Sequence, residues 1–174
     1  MNTTYVRHII RGILLLLLQV LVLKRIGLGE SWIWEYGNIF IYPVIIFLLP
    51  FRIPRHYVIL IGFFLGLMID VFYDSIGVHA FALTATAYAR GLILSYMEPR
   101  GGYQLSMSPT IHSMGLNWVL TYTFFNMLIH VFLYFSVEIF TFIYIGQILL
   151  KTLITLILSM LVMMGYHLLF NPRT

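Results

Sequence analysis

The chain has 174 residues, of which 61% are hydrophobic, 17% aromatic and only 9% charged, with a formal net charge of +4. Water-soluble domains are about half apolar and about a quarter charged. The composition therefore excludes an ordinary water-soluble domain and predicts an integral membrane protein. Cysteine is absent, which excludes a disulfide framework, a thiolate nucleophile and a cysteine-ligated metal site.

Six apolar stretches separated by loop signals predict an all-α protein that forms one polytopic membrane domain, residues 1–174. A helix needs about 20 apolar residues to cross the hydrocarbon core of a bilayer. The predicted spans cover residues 8–28, 38–49, 56–73, 78–97, 111–136 and 139–170. The second span is short and contains Pro43, so we expect it to be tilted, kinked or re-entrant.

The distribution of basic residues predicts the orientation, because cytoplasmic loops carry an excess of lysine and arginine. With the N-terminus inside, only Lys24 and Arg25 fall on the outer side. Six basic residues then fall on the inner side, namely Arg7, Arg11, Arg52, Arg55, Arg100 and Arg173. We expect both termini in the cytoplasm. This asymmetry also accounts for the positive charge without nucleic acid as a partner.

An acidic residue inside an apolar stretch marks the third span. Gly62, Gly66, Asp70 and Asp74 are spaced by four and share one helix face. A glycine pair at this spacing lets another helix backbone approach closely. Packing within the chain is the favoured interpretation, and a partner-binding face that includes Gly77 is the alternative. Asp70 should face protein, water or a cation, and we expect Asp70→Asn to be mild.

Catalytic chemistry finds little support in the sequence. The Gly66-x3-Asp70-x3-Asp74 pattern resembles the end of the signature of CDP-alcohol phosphotransferases, but their metal site needs further carboxylates upstream. The segment before Gly66 contains none, and the six histidines occur singly. We therefore predict no catalytic residue, no metal site and no cofactor. Asn126 and His130 share a face of the fifth span, which indicates a polar packing seam.

Arg90 and Lys151 are candidates for a polar site inside the membrane. Charged residues within spans are costly and often functional. General hydrogen bonding between helices, with long side chains reaching toward the surface, is the other interpretation. Arg90 lies about 16 Å from the outer end of its helix and Asp70 about 6 Å. A direct Arg90–Asp70 pair therefore requires Arg90 to reach outward.

The segment from Leu49 to Arg90 resembles the rod shape-determining protein MreD family. The recognisable core of that family is a proline-bounded loop, then G-x3-G-L-x2-D, then a glycine-containing turn into a helix of small residues. The corresponding positions here are Pro50 and Pro54, Gly66-Leu67, Asp70, Gly77 and residues 80–89. The resemblance covers about a quarter of the chain.

This resemblance implies a non-enzymatic scaffold of the bacterial inner membrane. The family belongs to the cell-elongation complex, which directs lateral peptidoglycan synthesis and maintains rod shape. The implied partners are an MreC-like bitopic membrane protein and, in the same complex, MreB and the RodA–transpeptidase synthase.

Two alternatives to the scaffold remain. The family fold is similar to the substrate-binding subunits of energy-coupling-factor vitamin transporters, so a vitamin-binding transport subunit is one alternative. Its outer cavity could be lined by Glu30, Trp32, Trp34 and Asp70. A structural membrane protein without a defined partner is the other.

Overall fold

The structure is a computed structural model that describes residues 3–26, 36–104 and 107–170, with the backbone alone for residues 3–9 and 142. Within these ranges the protein is all-helical and has no strand. A π-helical turn occupies Gln19–Leu23 and a 3₁₀ turn Phe142–Tyr144. The α-helices are α1 Thr3–Leu18, α2 Lys24–Ile26, α3 Val44–Phe47, α4 Arg55–Tyr73, α5 Val78–Tyr96, α6 Ile111–Met114, α7 Leu116–Ile139 and α8 Ile145–Phe170.

Three of these helices, α4, α7 and α8, are long and apolar enough to cross a membrane. Their outer faces stay apolar. In α4 only 28% of the most apolar stretch is buried inside the protein, and Leu60, Phe64, Met68 and Val71 are all exposed. A helix that is apolar on its outer face suits lipid rather than water.

The predicted spans agree with the helices in the middle of the chain and differ elsewhere. The spans over 56–73 and 78–97 match α4 and α5 to within one residue. The span over 111–136 is divided at Gly115, whose φ of 83° and ψ of 159° interrupt the helix. The next helix, α8, begins later than predicted, because Phe140 adopts a left-handed conformation that ends α7.

The predicted span over 38–49 is mostly not a helix. Residues 37–41 have no regular structure, and only the single turn α3 is helical. Pro43 precedes that turn and has no N–H group to give to a longer helix. The segment is nevertheless deep in the protein, since Phe40, Ile41 and Tyr42 are at most 1% exposed.

The helix bundle has two ends, which we name after two buried charged residues. The Asp70 end is where α4 ends and α5 begins, and the Arg90 end is the opposite one. The first helical stretch runs toward the Asp70 end, because Lys24 donates a hydrogen bond to the Phe72 carbonyl. Helices α7 and α8 meet at the same end through Glu138 and Lys151.

Residues 36–50 connect the two ends of the bundle. Gln19 donates to the Ile39 carbonyl at 2.9 Å and to the hydroxyl of Tyr73, the last residue of α4, at 2.6 Å. This places Ile39 at the Asp70 end. The Leu49 carbonyl instead accepts a hydrogen bond from Arg90. In the described ranges, residues 36–50 therefore run between the two ends, as do the first helical stretch, α4, α5, α7 and α8.

The glycine face of α4 packs against α5 of the same chain. A Cβ atom added at Gly66 would lie 2.4 Å from the Cα and 2.7 Å from the N of Ala80. One added at Gly62 would lie 3.1 Å from the Leu83 carbonyl oxygen and from the Ala87 Cβ. The glycine pair therefore packs against a helix of its own chain. Of the two glycines, Gly66 lies closer to the backbone of α5.

Even the smallest side chain at Gly66 should destabilise the protein. Gly66→Ala puts a methyl group against the backbone of α5, which cannot move aside as a side chain can, so we expect a loss of about 1–3 kcal/mol. Gly165→Ala in α8 is the matched control, because a Cβ there meets nothing within 4 Å. Thermal unfolding and folded yield in detergent measure both. Equal stability of the two variants would contradict the close approach at Gly66.

Candidate functional site

Asp70 holds the start of α5. Its carboxylate is 5% exposed and accepts hydrogen bonds from the backbone N–H groups of Gly77, His79 and Ala80 at 2.9–3.1 Å. The Ser75 hydroxyl donates a fourth at 2.9 Å. The first N–H groups of a helix have no partner within it and carry partial positive charge. The carboxylate satisfies these groups, which explains an acidic residue in an apolar stretch.

The two other predicted residues of this turn have different roles. Gly77 has a φ of 87° at the N-cap of α5, a conformation that favours glycine, and its N–H contacts Asp70. Asp74 is exposed and ends α4 with a φ of 54°. It therefore lies beyond the face that Gly62, Gly66 and Asp70 share. The Asp70 oxygens are occupied by donors of their own chain.

Residues 36–50 are called the buried segment from here on. Side chains of two helical stretches hold its first half. The backbone N–H groups of Asn38 and Phe40 donate to the α8 hydroxyls of Thr155 and Ser159 at 3.0 and 2.9 Å. Gln19 accepts from the Ile41 N–H at 2.8 Å and also donates to this segment. These side chains replace the hydrogen bonds that a helix would supply.

Tyr42 lies between two buried histidines. Its hydroxyl is 2.8 Å from Nδ1 of His79 and 2.7 Å from Nε2 of His130. The Thr86 hydroxyl is 3.1 Å from Nδ1 of His130 and donates a hydrogen bond to the Ala82 carbonyl. His130 must therefore donate to Thr86 through Nδ1 and accept from Tyr42, which leaves His79 as the donor to Tyr42. Each group thus donates a hydrogen bond to the next, from His79 through Tyr42 and His130 to Thr86.

Arg90 holds the second half of the buried segment. Its guanidinium donates to the Leu49 carbonyl at 2.5 Å and to the Tyr122 hydroxyl at 2.9 Å. Tyr122 in turn donates to the Phe47 carbonyl at 3.0 Å. Arg90 and Tyr122 thus bind carbonyl groups at the end of α3 and just after it. Arg90 does not pair with Asp70, because its guanidinium contacts Leu49 and Tyr122 near the opposite end of the bundle.

The remaining polar candidates are dispersed. Lys151 forms an ion pair with Glu138 at 3.7 Å, partly exposed at the Asp70 end, so it shares no site with Arg90. Asn126 and His130 are both buried on one face of α7, as a polar packing seam requires. The Asn126 amide donates to the Tyr122 carbonyl. In the described ranges no three His, Cys, Asp or Glu side chains converge as metal ligands.

Two cavities open near the two ends of the bundle. One of about 250 Å³ at the Asp70 end is lined by Lys24, Asn38, Tyr73, Tyr134 and Glu138 among others. One of about 460 Å³ at the Arg90 end contains Arg90, Glu98 and Tyr103. Burial, more than the Glu98 carboxylate, raises the pKa of Tyr103 to about 12. Its hydroxyl stays protonated and donates to the Leu94 carbonyl.

The vitamin cavity considered in the sequence analysis would be lined by Glu30, Trp32, Trp34 and Asp70. Of these four residues, Glu30, Trp32 and Trp34 lie outside the described residues.

A third concave surface is apolar and faces outward. The α4–α5 groove, with a volume of about 580 Å³, is lined by Ile59, Phe63, Leu67, Gly77, Ala80, Phe81, Thr84, Ala85 and Tyr88.

No protein-family model, curated protein or solved structure matches this chain. Any functional conclusion therefore depends on the residues and their geometry.

The sequence did not point to most of the side chains that hold the buried segment. Gln19, Tyr42, Tyr122, Thr155 and Ser159 each bind its backbone or the histidine pair. Their one sequence signal is polarity within an apolar run, which is clearest for Gln19 in the leucine-rich first helix. Which backbone groups they meet depends on a tertiary arrangement that periodicity does not contain.

The geometry of Asp70 changes the expectation for its substitution by asparagine. Each carboxylate oxygen accepts two hydrogen bonds, whereas asparagine retains one oxygen and places an NH₂ group against two donors. We therefore expect Asp70→Asn to cost about 1–3 kcal/mol of stability rather than to be mild.

The exposed Asp74 provides the control for this change. Asp74→Asn should be neutral, because asparagine tolerates the left-handed conformation. Thermal unfolding in detergent compares the two variants. Similar stabilities would show that Asp70 does not hold α5 in this way.

Proposed function

We propose that this protein is a non-enzymatic scaffold of the cell-elongation complex in the bacterial cytoplasmic membrane. It spans the membrane six times with both termini in the cytoplasm, so the Asp70 end faces outward. Its role is to couple the MreB cytoskeleton to lateral peptidoglycan synthesis by the RodA–transpeptidase synthase. It does so by binding an MreC-like bitopic partner.

The observation that carries this proposal is that the segment resembling the MreD family forms one structural unit. Its first and last residues are joined, because Arg90 donates to the Leu49 carbonyl at 2.5 Å. Within it, Gly66 sets the close approach of α4 to α5 and Asp70 holds the start of α5. Gly66 and Asp70 thus both hold α4 against α5, and Arg90 links α5 to the residue at the start of the segment.

The α4–α5 groove supports a bitopic partner. A protein with one spanning helix presents an apolar helix to its neighbours in the membrane. The groove is apolar over most of its surface and includes the small residues Gly77, Ala80 and Ala85. Small residues let helices approach closely in lipid. The outer face of the α4–α5 pair therefore suits the spanning helix of an MreC-like protein.

The polar cavity at the Asp70 end favours the second candidate, a vitamin-type binding subunit of a transporter. Its five polar lining residues come from four parts of the chain, as is common in small-molecule sites. The cavity volume of about 250 Å³ is below the usual range of such sites, which is about 300–1,000 Å³. The scaffold therefore remains the first proposal.

Depletion of the protein from a rod-shaped host separates the two functions. The scaffold predicts that depleted cells become round with or without a full vitamin supplement. Re-expression of the wild type should restore rods, whereas Ala85→Trp, which fills the α4–α5 groove, should not. Ala85→Trp should also lose co-purification with the MreC-like protein.

Leu161→Trp is the matched control, because it adds the same side chain on an exposed position of α8 outside the groove. It should restore rod shape like the wild type. Retained rod shape with growth that depends on the vitamin supplement would favour transport and contradict the scaffold. Full function of Ala85→Trp would remove the groove from the proposal.

A further inference from the structure

A groove between α1 and α8 contains an arginine that forms no ion pair with the described residues. The α1–α8 groove has a volume of about 370 Å³ and is lined by Ile10, Arg11, Leu14, Leu15, Leu18, Tyr166 and Phe170. One guanidinium nitrogen of Arg11, Nη1, is buried and has no hydrogen-bond partner among the described residues. A buried donor of this kind is costly unless something accepts a hydrogen bond from it.

The neighbouring side chains add unused polar groups. His167 is 3% exposed, and neither of its ring nitrogens has a partner in the described ranges. Tyr166 lines the groove together with Arg11, and His167 is the next residue of α8. The site therefore combines one cation with nearby groups that can donate hydrogen bonds. Among the described residues that line the groove, none carries a carboxylate.

We propose that the α1–α8 groove binds one anionic phospholipid. The phosphate accepts hydrogen bonds from Arg11 and from the Tyr166 hydroxyl, while an acyl chain lies along Leu14 and Leu18. Arginine binds phosphate strongly, because its planar fork can donate two parallel hydrogen bonds to the phosphate oxygens. Exposure of 61% at Leu14 and 37% at Leu18 leaves this apolar ridge open to a lipid chain.

The depth of the site agrees with a lipid. Arg11 is about 12 Å along α1 from Thr3, and Phe170 is the last residue of α8. Both therefore lie toward the Arg90 end of the bundle, where a headgroup would sit. Leu18 is about 10 Å farther along α1. A headgroup at Arg11 thus places the chain toward the membrane centre. The inference needs only a membrane location and is independent of the scaffold function.

Phosphatidylglycerol binding to the purified full-length protein in detergent tests this inference. Phosphatidylglycerol should raise the midpoint of thermal unfolding more than phosphatidylcholine with the same acyl chains, and inorganic phosphate should not replace it. Native mass spectrometry should show one retained phosphatidylglycerol. Arg11→Gln should weaken its binding about tenfold, as loss of a charge-assisted hydrogen bond implies.

Arg100→Gln is the control, because it removes the same charge from an exposed position on the loop after α5. It should bind like the wild type. If Arg11→Gln does not fold, Tyr166→Phe serves in its place and should also weaken binding. Equal stabilisation by the two lipids, unchanged binding by the folded variants, or full replacement by inorganic phosphate would each overturn the proposal.

Discussion

The structure depends on the hydrogen bonding of a buried, largely non-helical segment. A backbone N–H or carbonyl group without a partner is expensive in the hydrocarbon region, where water is absent. Residues 37–41 lie outside any helix. Side chains of the surrounding helical stretches bind the N–H groups of Asn38, Phe40 and Ile41 instead. Gln19 and Ser159 bind the first half, and Arg90 closes the second. The bundle is therefore assembled around this segment.

This constraint changes the meaning of polar residues inside the apolar helices. Intramembrane charges suggest function by default, yet Arg90 and Asp70 both bind backbone groups of their own chain. The fixed α4–α5 pair that results presents an apolar groove on its outer side. A rigid pair with such a groove suits a protein that binds a neighbouring helix. Arg11 differs from both residues because its buried Nη1 atom has no partner in the described protein.

Local signals predicted the helices much better than the polar contacts. The limits of α4 and α5 followed from proline and glycine positions. The Gly62–Gly66 spacing predicted the close approach of another helix, without indicating that this helix is α5. The segment 38–49 was recognised as unusual from its length and Pro43, but its extended first half was not. The partner of Arg90 could not be read from spacing, because Leu49 is 41 residues away in the chain and meets Arg90 only through tertiary packing.

The central claim is that the largely non-helical segment crosses the bundle, so that the residues on either side of it lie on opposite sides of the membrane. Labelling of single cysteines with an impermeant thiol reagent tests this directly, because the chain has no cysteine of its own. In intact spheroplasts Tyr36→Cys should be labelled from outside, and Arg52→Cys should react only after lysis. Labelling of both positions from the same side would show a segment that enters and returns, and would contradict the account.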